Sequence, residues 1–289
     1  LGSYALQFTY PLTGIVIPEG VTSIGFKAFY VCNDLKDLTL PKSLTVIEGM
    51  AFDACSDLKD GQFIIDDIAW WCSVDINSNP LYYAKHIYSA KDQEITDLVI
   101  PDGVTNIGGN AFYHVEGIKS VTFPESLTSI GSAAFYSTGL GTVTIPKGVT
   151  EIGGAAFERC GNLKTVTIPE GVTKIGSSAF AYSGLTELTL PSTIKEMSQS
   201  FYGCENLAKL NLTDGITTLG SSFYSCPTLK EVHIPGSVKS IGYSDFSRCT
   251  NLETVTIGEG TEEIQFQDCE KLSSITIPST AKSVLSFRN

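Results

Sequence analysis

A proline-marked repeat of 22 or 23 residues runs along most of this 289-residue chain and constrains its fold more than any other feature. Two neighbouring copies show it, TVTIPKGVTEIGGAA from Thr142 and TVTIPEGVTKIGSSA from Thr165. The proline slot is filled by Pro18, Pro41, Pro101, Pro124, Pro146, Pro169, Pro191, Pro235 and Pro278. Self-similarity at such a fixed period is the sequence signature of a solenoid.

Each repeat reads as one coil of that solenoid. The stretch V-x-I-P alternates apolar and polar residues, which predicts a short strand ended by proline, since proline lacks the N–H that a ladder needs. The segment G-x-x-A-F-x-x-C is too short for a free helix and predicts one helical or 3₁₀ turn. A single coil cannot bury its own apolar side, so the coils must stack. We therefore predict a leucine-rich-repeat solenoid with β-dominated coils and a parallel sheet on its concave face.

The repeat predicts one domain, residues 1–289, of about eleven coils, in which one coil is enlarged. The interval from Pro41 to Pro101 spans 60 residues, more than two ordinary coils need. The surplus falls at about residues 64–100, which hold both tryptophans and three tyrosines. Within this enlarged coil, the run His86-Ile87-Tyr88 predicts an extra strand.

Two residue types recur at fixed slots and predict the core. Stacking places one phenylalanine per coil in a column made of Phe29, Phe52, Phe112, Phe135, Phe157, Phe180, Phe201, Phe223, Phe246 and Phe266. Seven of the eight cysteines follow the column phenylalanine by three residues. We expect buried free thiols, because cysteine behaves as a small hydrophobe and Thr138 or Ser183 fills the same slot elsewhere. Disulfides stay the alternative that an even number of cysteines raises.

The composition and the motifs disfavour most chemistry. A net charge of −12 disfavours nucleic acid and anionic membrane surfaces as partners. No Walker loop, G-x-S-x-G, calcium loop or C-x-x-C pair is present. His86, His114 and His233 lie in different coils, so we do not expect them to be adjacent. We predict no catalytic residue, no metal site and no cofactor, and hence no enzyme.

The outward positions of the longer strands are the first candidate site. In three coils both outward positions hold threonine and in four more one of them does, which suits cross-strand pairing in a sheet. Charged and polar residues interrupt this background in three neighbouring coils, namely Glu187, Lys209, Asn211, Glu231 and His233. These interruptions disfavour an ice-binding surface and form a candidate partner-binding patch, with ordinary variation at exposed positions as the alternative.

The enlarged coil is the second candidate site. Its aromatic residues Trp70, Trp71, Tyr82 and Tyr83 have two interpretations. They could wedge the surplus chain against the stack, or they could form a protruding contact surface, because tryptophan and tyrosine dominate interface hot spots.

The repeat phrases together with the run W-C…SNPLYYA…I-Y…ITDLVIP resemble the BspA-type leucine-rich repeat proteins, which are mostly bacterial surface or secreted proteins. The likeness covers about residues 12–285. It implies a right-handed leucine-rich-repeat solenoid with a role in adhesion or protein binding, often to host matrix or other cells, and it brings no catalytic residues. The last coils depart from the pattern, since Gly258 replaces the proline and Gln265-Phe266 replaces Ala-Phe.

From the residues and the resemblance together, we predict a non-enzymatic extracellular or cell-surface module that binds a protein or glycan partner. The first residues, from Leu1, do not read as a signal peptide, so the resemblance alone carries the expected location. The alternative is a structural spacer solenoid that carries other domains.

Overall fold

A computed structural model of the chain describes residues 1–195 and 197–288, with the backbone alone for residues 286–288. The chain divides into two compact units, Leu1–Leu140 and a second that begins at Gly141. Each unit is a β-solenoid stack of leucine-rich-repeat coils with very little helix. That residues 1–289 form one domain of about eleven coils stays a prediction.

The first unit consists of short strands and three short helical segments. In chain order these are β1 (Gly14–Val16), β2 (Ser23–Ile24), β3 (Asp37–Thr39), β4 (Val46–Ile47), a 3₁₀ helix (Ser56–Asp60), β5 (Phe63–Ile64), α1 (Ile68–Ser73), β6 (Asp75–Ile76), α2 (Leu81–Ala84), β7 (Ile87–Ala90), β8 (Gln93–Glu94), β9 (Asp97–Val99), β10 (Asn106–Ile107), β11 (Ser120–Thr122) and β12 (Ser129–Ile130).

The second unit contains only strands and turns in its described residues. Its strands are β13 (Thr142–Thr144), β14 (Glu151–Ile152), β15 (Thr165–Thr167), β16 (Lys174–Ile175), β17 (Glu187–Thr189), β18 (Lys209–Asn211), β19 (Glu231–Ile234), β20 (Ser240–Ile241), β21 (Thr254–Ile257), β22 (Glu263–Gln267), β23 (Ser274–Thr276) and β24 (Ser283–Arg288).

Two kinds of parallel ladder build each unit, because most coils contribute one longer and one shorter strand. The longer strands pair as β1–β3 and β9–β11 in the first unit, and as β13–β15, β17–β18 and β19–β21–β23 in the second. The other strand of each coil, two residues long except in β22 and β24, pairs as β2–β4–β6, β10–β12, β14–β16 and β20–β22–β24. Pairing advances by one repeat, so that Val143 lies opposite Val166. This register keeps the apolar residues of successive coils on the buried face.

The segment around each column phenylalanine is a ladder of turns rather than the expected helical turn. In the coil of Phe157, the N–H groups of Ala155, Phe157 and Arg159 donate to carbonyls of the next coil at 2.8, 2.7 and 2.8 Å. The N–H groups between them bond within the coil, as Glu158 does to Ala155 at 3.1 Å. Ala155 and Arg159 take left-handed φ angles of 56° and 60° to achieve this alternation. A helix would direct every N–H back into its own coil and leave the stack without these inter-coil bonds.

The phenylalanine column is the core, as predicted. All ten side chains are fully buried. In the second unit the rings of Phe157, Phe180, Phe201 and Phe223 lie parallel, with successive centroids 5.2, 5.4 and 5.8 Å apart. Offset stacking at this spacing adds to the free energy gained by burying the rings.

The buried-thiol prediction is also confirmed, since all eight cysteines are buried and free. The column thiols donate to the preceding coil, as Cys55 Sγ does to the carbonyl of Phe29 and Cys249 Sγ to that of Phe223, both at 3.2 Å. Burial raises the pKa of Cys55 and Cys249 to about 12. The thiolate that metal binding or disulfide exchange needs is therefore scarcely populated at neutral pH.

The enlarged coil combines helices and an extra strand. The predicted strand at residues 86–88 is present as β7, which pairs in parallel with β5 and then turns back against β8 in an antiparallel hairpin. Helix α1 begins after Asp67, whose side chain accepts the N–H of Trp70 at 2.9 Å and so caps the helix. Among the described residues, no helix has the length and apolar character needed to cross a membrane.

Candidate functional site

The polar cluster predicted on the longer strands comes together in the second unit. Strands β17 and β18 pair with Glu187 opposite Lys209 and Thr189 opposite Asn211, so these side chains form adjacent rows. All of the predicted residues on β17, β18 and β19 are solvent-exposed. The side chains of Glu187, Lys209, Asn211 and Glu231 line one depression of about 330 Å³. We call Glu187, Lys209, Asn211, Glu231 and His233 the strand-face cluster.

The charged side chains of the strand-face cluster do not form ion pairs with one another in the described part of the chain. Within the described residues, neither Glu187 nor Glu231 forms an ion pair with Lys209. His233 lies opposite Thr256 of β21, and its Nδ1 is 2.9 Å from the threonine Oγ1. The depression thus offers two carboxylates, one ammonium and one amide to a partner. In ordinary coils such as β13 and β15, threonines pair opposite each other at the same positions.

The two tryptophans of the enlarged coil serve the stack, which corrects the expectation that Trp71 belongs to a contact surface. Trp71 is fully buried, and its Nε1–H donates to the carbonyl of Ala111 at 2.6 Å. Trp70 is half-buried, and its Nε1–H donates to the carbonyl of Leu44 at 3.0 Å. The indoles therefore pin helix α1 to coils on either side of it, as the wedge interpretation expected.

The tyrosines of the enlarged coil remain accessible. Tyr82 is 46% exposed, and Tyr83 stands edge-on against it with ring centroids 4.9 Å apart. The Tyr83 hydroxyl accepts the N–H of Ala54 at 2.9 Å, which fixes its ring against the preceding coil. Both rings line a second cavity, of about 270 Å³, in the first unit.

Sequence reasoning missed the polar lining of this second cavity. Asp53, Asn77 and Asn110 come from three separate stretches of the chain, and Tyr113 adds a third ring. We call these four residues with Tyr82 and Tyr83 the tyrosine pocket. The sequence held one signal for this pocket, which is the asparagine at position 110. Asn110 has a left-handed φ of 61°, at a position of the repeat that other coils fill with residues such as Ala155. Asparagine is enriched in that conformation.

His86 and His114 belong to different coils, and both act electrostatically on the carboxylate of Glu116. His86 Nδ1 is 2.6 Å from Glu94, and His114 Nδ1 is 3.5 Å from Glu116, whose other neighbour is Lys85 at 2.9 Å. The hydrogen bond from Lys85, with added help from both histidines, lowers the pKa of Glu116. Burial lowers the pKa of His114 in spite of the opposing carboxylate of Glu116.

Among the described residues, no group of three or more histidines, cysteines or acids is placed to hold a metal ion. The cysteine of the enlarged coil, Cys72, is buried in helix α1, and its burial raises its pKa to about 12. A thiol in that state is a poor nucleophile.

Comparison with known proteins settles the family. The model of the BspA type leucine-rich repeat region matches residues 1–68, 85–200 and 197–287, in six copies. The chain belongs to the BspA-type leucine-rich repeat family. Its matched segments leave out residues 69–84, which are the part of the enlarged coil that runs from α1 to α2.

Solved structures of leucine-rich repeat proteins share the fold. The chain resembles a leucine-rich cell surface protein from Faecalibacterium prausnitzii A2-165 with 28% identity and a TM-score of 0.57, over 95% of this chain and 82% of that one. It resembles a leucine-rich repeat protein from Eubacterium ventriosum with 20% identity and a TM-score of 0.59, over 93% and 80% of the two chains. A leucine-rich repeat protein from Bacteroides ovatus gives 22% identity and a TM-score of 0.53, over 96% and 83%. None of the curated proteins matches the chain significantly in sequence.

Proposed function

We propose that this chain is a non-enzymatic recognition module that works outside the cell or on its surface and binds a protein or glycan partner through the strand-face cluster. The observation that carries this proposal is the single depression of about 330 Å³ that collects four of its five side chains. Solenoids of this kind present extended surfaces to partners. The Faecalibacterium protein that the chain resembles is described as a cell surface protein, which supports the same location here.

The electrostatics of the cluster favour recognition over a purely structural role. Exposed Glu187, Lys209 and Glu231 contribute little to folding, because solvent screens exposed charges. A partner that covers the depression would desolvate these charges, and their interactions would then strengthen. A spacer solenoid needs no such break in its threonine background.

The proposal is tested with a variant that lacks the charged side chains of the strand-face cluster. Glu187, Lys209, Glu231 and His233 are all replaced by threonine, the residue that ordinary coils carry at these positions. Wild-type and variant protein are titrated over immobilised matrix proteins (fibronectin, laminin and collagen) and over a glycan array. We expect the variant to stay folded and to lose at least about tenfold in affinity for any surface that captures the wild type, since a desolvated charge contact is worth about that much.

A matched control separates this cluster from charge in general. Glu151, Lys174, Glu262 and Lys282 are exposed charged residues of the second unit that form ion pairs, and they lie in or directly before β14, β16, β22 and β24. Their replacement by threonine should leave capture unchanged. Equal binding by the cluster variant and the wild type would refute the proposed surface, and a wild type that binds no matrix protein and no glycan would favour the spacer.

A further inference from the structure

The tyrosine pocket belongs to the first unit, shares no residue with the strand-face cluster and has a chemistry of its own. Its volume of about 270 Å³ lies just below the range of drug-sized ligand sites, which is roughly 300–1,000 Å³. A space of this size admits one or two sugar rings but not a folded protein segment. We propose that the tyrosine pocket is a binding site for a neutral saccharide, which deepens the proposed function by naming a ligand class for a second site.

The aromatic side of the pocket is already arranged as a platform. Tyr82 lies over Tyr113 with ring centroids 6.2 Å apart and planes 26° from parallel. Tyr83 supports Tyr82 edge-on, and His114 packs 5.0 Å from the Tyr82 ring. An exposed ring held in place in this way offers a flat face to the C–H side of a pyranose at little cost in side-chain entropy.

The polar side of the pocket carries groups that match vicinal hydroxyls. The amide of Asn110 donates to the carbonyl of Ile76 at 2.7 Å, which fixes the orientation of that side chain. Asp53 accepts the hydroxyl of Ser78 at 3.2 Å through one oxygen and retains a second carboxylate oxygen. Asn77 is exposed, and its side chain makes no hydrogen bond within the described part of the chain. A carboxylate and two amides supply both acceptors and donors, as sugar hydroxyls require.

The charge of the pocket selects among ligand classes. Asp53 is its only lining residue with a formal charge at neutral pH, and the whole chain carries −12. Phosphates and acidic sugars would therefore be repelled. A quaternary ammonium ligand prefers rings that surround an empty space. Here Tyr113 stacks against Tyr82 and Tyr83 stands edge-on against it, so the three rings are packed on one another and do not surround an empty space. A neutral saccharide fits these observations best.

The first experiment uses saturation-transfer NMR of the full chain with glucose, galactose, mannose, N-acetylglucosamine and lactose. We expect at least one of these sugars to bind with a Kd of about 1 mM, as a ligand of this size allows. Replacing Tyr82 by alanine should weaken that binding about tenfold. Asn77→Ala should also weaken it, and this exposed side chain is not used by the fold. Tyr243→Ala removes a 58% exposed tyrosine of the second unit and is the matched control.

A second arm distinguishes the source of the saccharide. Neutral oligosaccharides of animal glycoprotein type are compared with neutral oligosaccharides from bacterial surface polysaccharides, and binding in either arm supports the site. The proposal is overturned if no sugar of the panel binds, if choline binds and no sugar does, or if both the Tyr82 and the Asn77 variants bind as tightly as the wild type. The strand-face variant serves here as an independent control, because it should retain sugar binding even if it loses its macromolecular partner.

Discussion

The phenylalanine column makes the sharpest prediction about stability, and Phe180 is the best place to test it. Its ring is fully buried and stacks on Phe157 at 5.2 Å and on Phe201 at 5.4 Å, with interplanar angles of 8° and 4°. Phe180→Ala removes a whole ring from between two others. Lost burial and the cavity left behind together should lower the free energy of unfolding by about 3–5 kcal/mol.

The measurement is urea unfolding followed by far-ultraviolet circular dichroism, with amide exchange of the neighbouring coils recorded beside it. The second probe is needed because repeat arrays can lose two-state behaviour, and a local change then spreads only to adjacent coils. Tyr243→Ala, an exposed aromatic in the same unit, should change stability by about 0.5 kcal/mol or less. A loss below about 1 kcal/mol for Phe180→Ala would show that the column is not the core.

Three further predictions follow from the turn ladder, the buried thiols and the hydrogen-bonded carboxylate of Glu170. Ala155→Gly should stabilise the fold by about 0.5–1 kcal/mol, because glycine adopts the left-handed φ of this position without strain. Ala156→Gly, at the buried neighbouring position, should destabilise the fold by about 1 kcal/mol or more. If thermal unfolding gives both changes the same sign, the turn ladder is contradicted. Ellman's reagent should find eight thiols in the denatured, unreduced chain and almost none in the native one, and three or more disulfides would refute the thiol column. The hydrogen bond from the backbone N–H of Ser192 lowers the pKa of Glu170, so this carboxylate stabilises the fold above its unfolded pKa and ceases to do so as the pH falls through its folded pKa. Glu170→Gln should therefore narrow the difference in Tm between neutral and acid pH. An unchanged difference in Tm would count against the contact.

The sequence predicts much of the fold because the repeat fixes the side of the chain that each residue faces. The buried phenylalanines and thiols, the paired strands and the extra strand β7 all follow from slot and spacing. The turn ladder does not, because Ala155 and Arg159 adopt left-handed φ angles that nothing in their residue types requires. These angles are imposed by hydrogen bonds between coils, which become visible only when the coils are stacked.

The strand-face cluster and the tyrosine pocket also differ in how far the sequence predicts them. Residues of the strand-face cluster occupy equivalent slots in neighbouring coils, so their meeting on adjacent strands could be predicted from the period alone. The tyrosine pocket draws Asp53, Asn77 and Asn110 from an irregular insertion and two ordinary coils, and no period relates them. For the same reason the sequence did not distinguish the buried Trp71 from the exposed Tyr82.

The central claim is that inward side chains stabilise the stacked coils, whereas the outward side chains of β17, β18 and β19 bind the partner. One paired measurement tests this claim most directly. Unfolding free energy and partner affinity are determined on the same preparation of the variant in which Glu187, Lys209, Glu231 and His233 are replaced by threonine. The account predicts a stability change of about 0.5 kcal/mol or less per substitution together with a loss of at least about tenfold in affinity. A variant that is folded and binds the captured matrix protein or glycan as tightly as the wild type would contradict it.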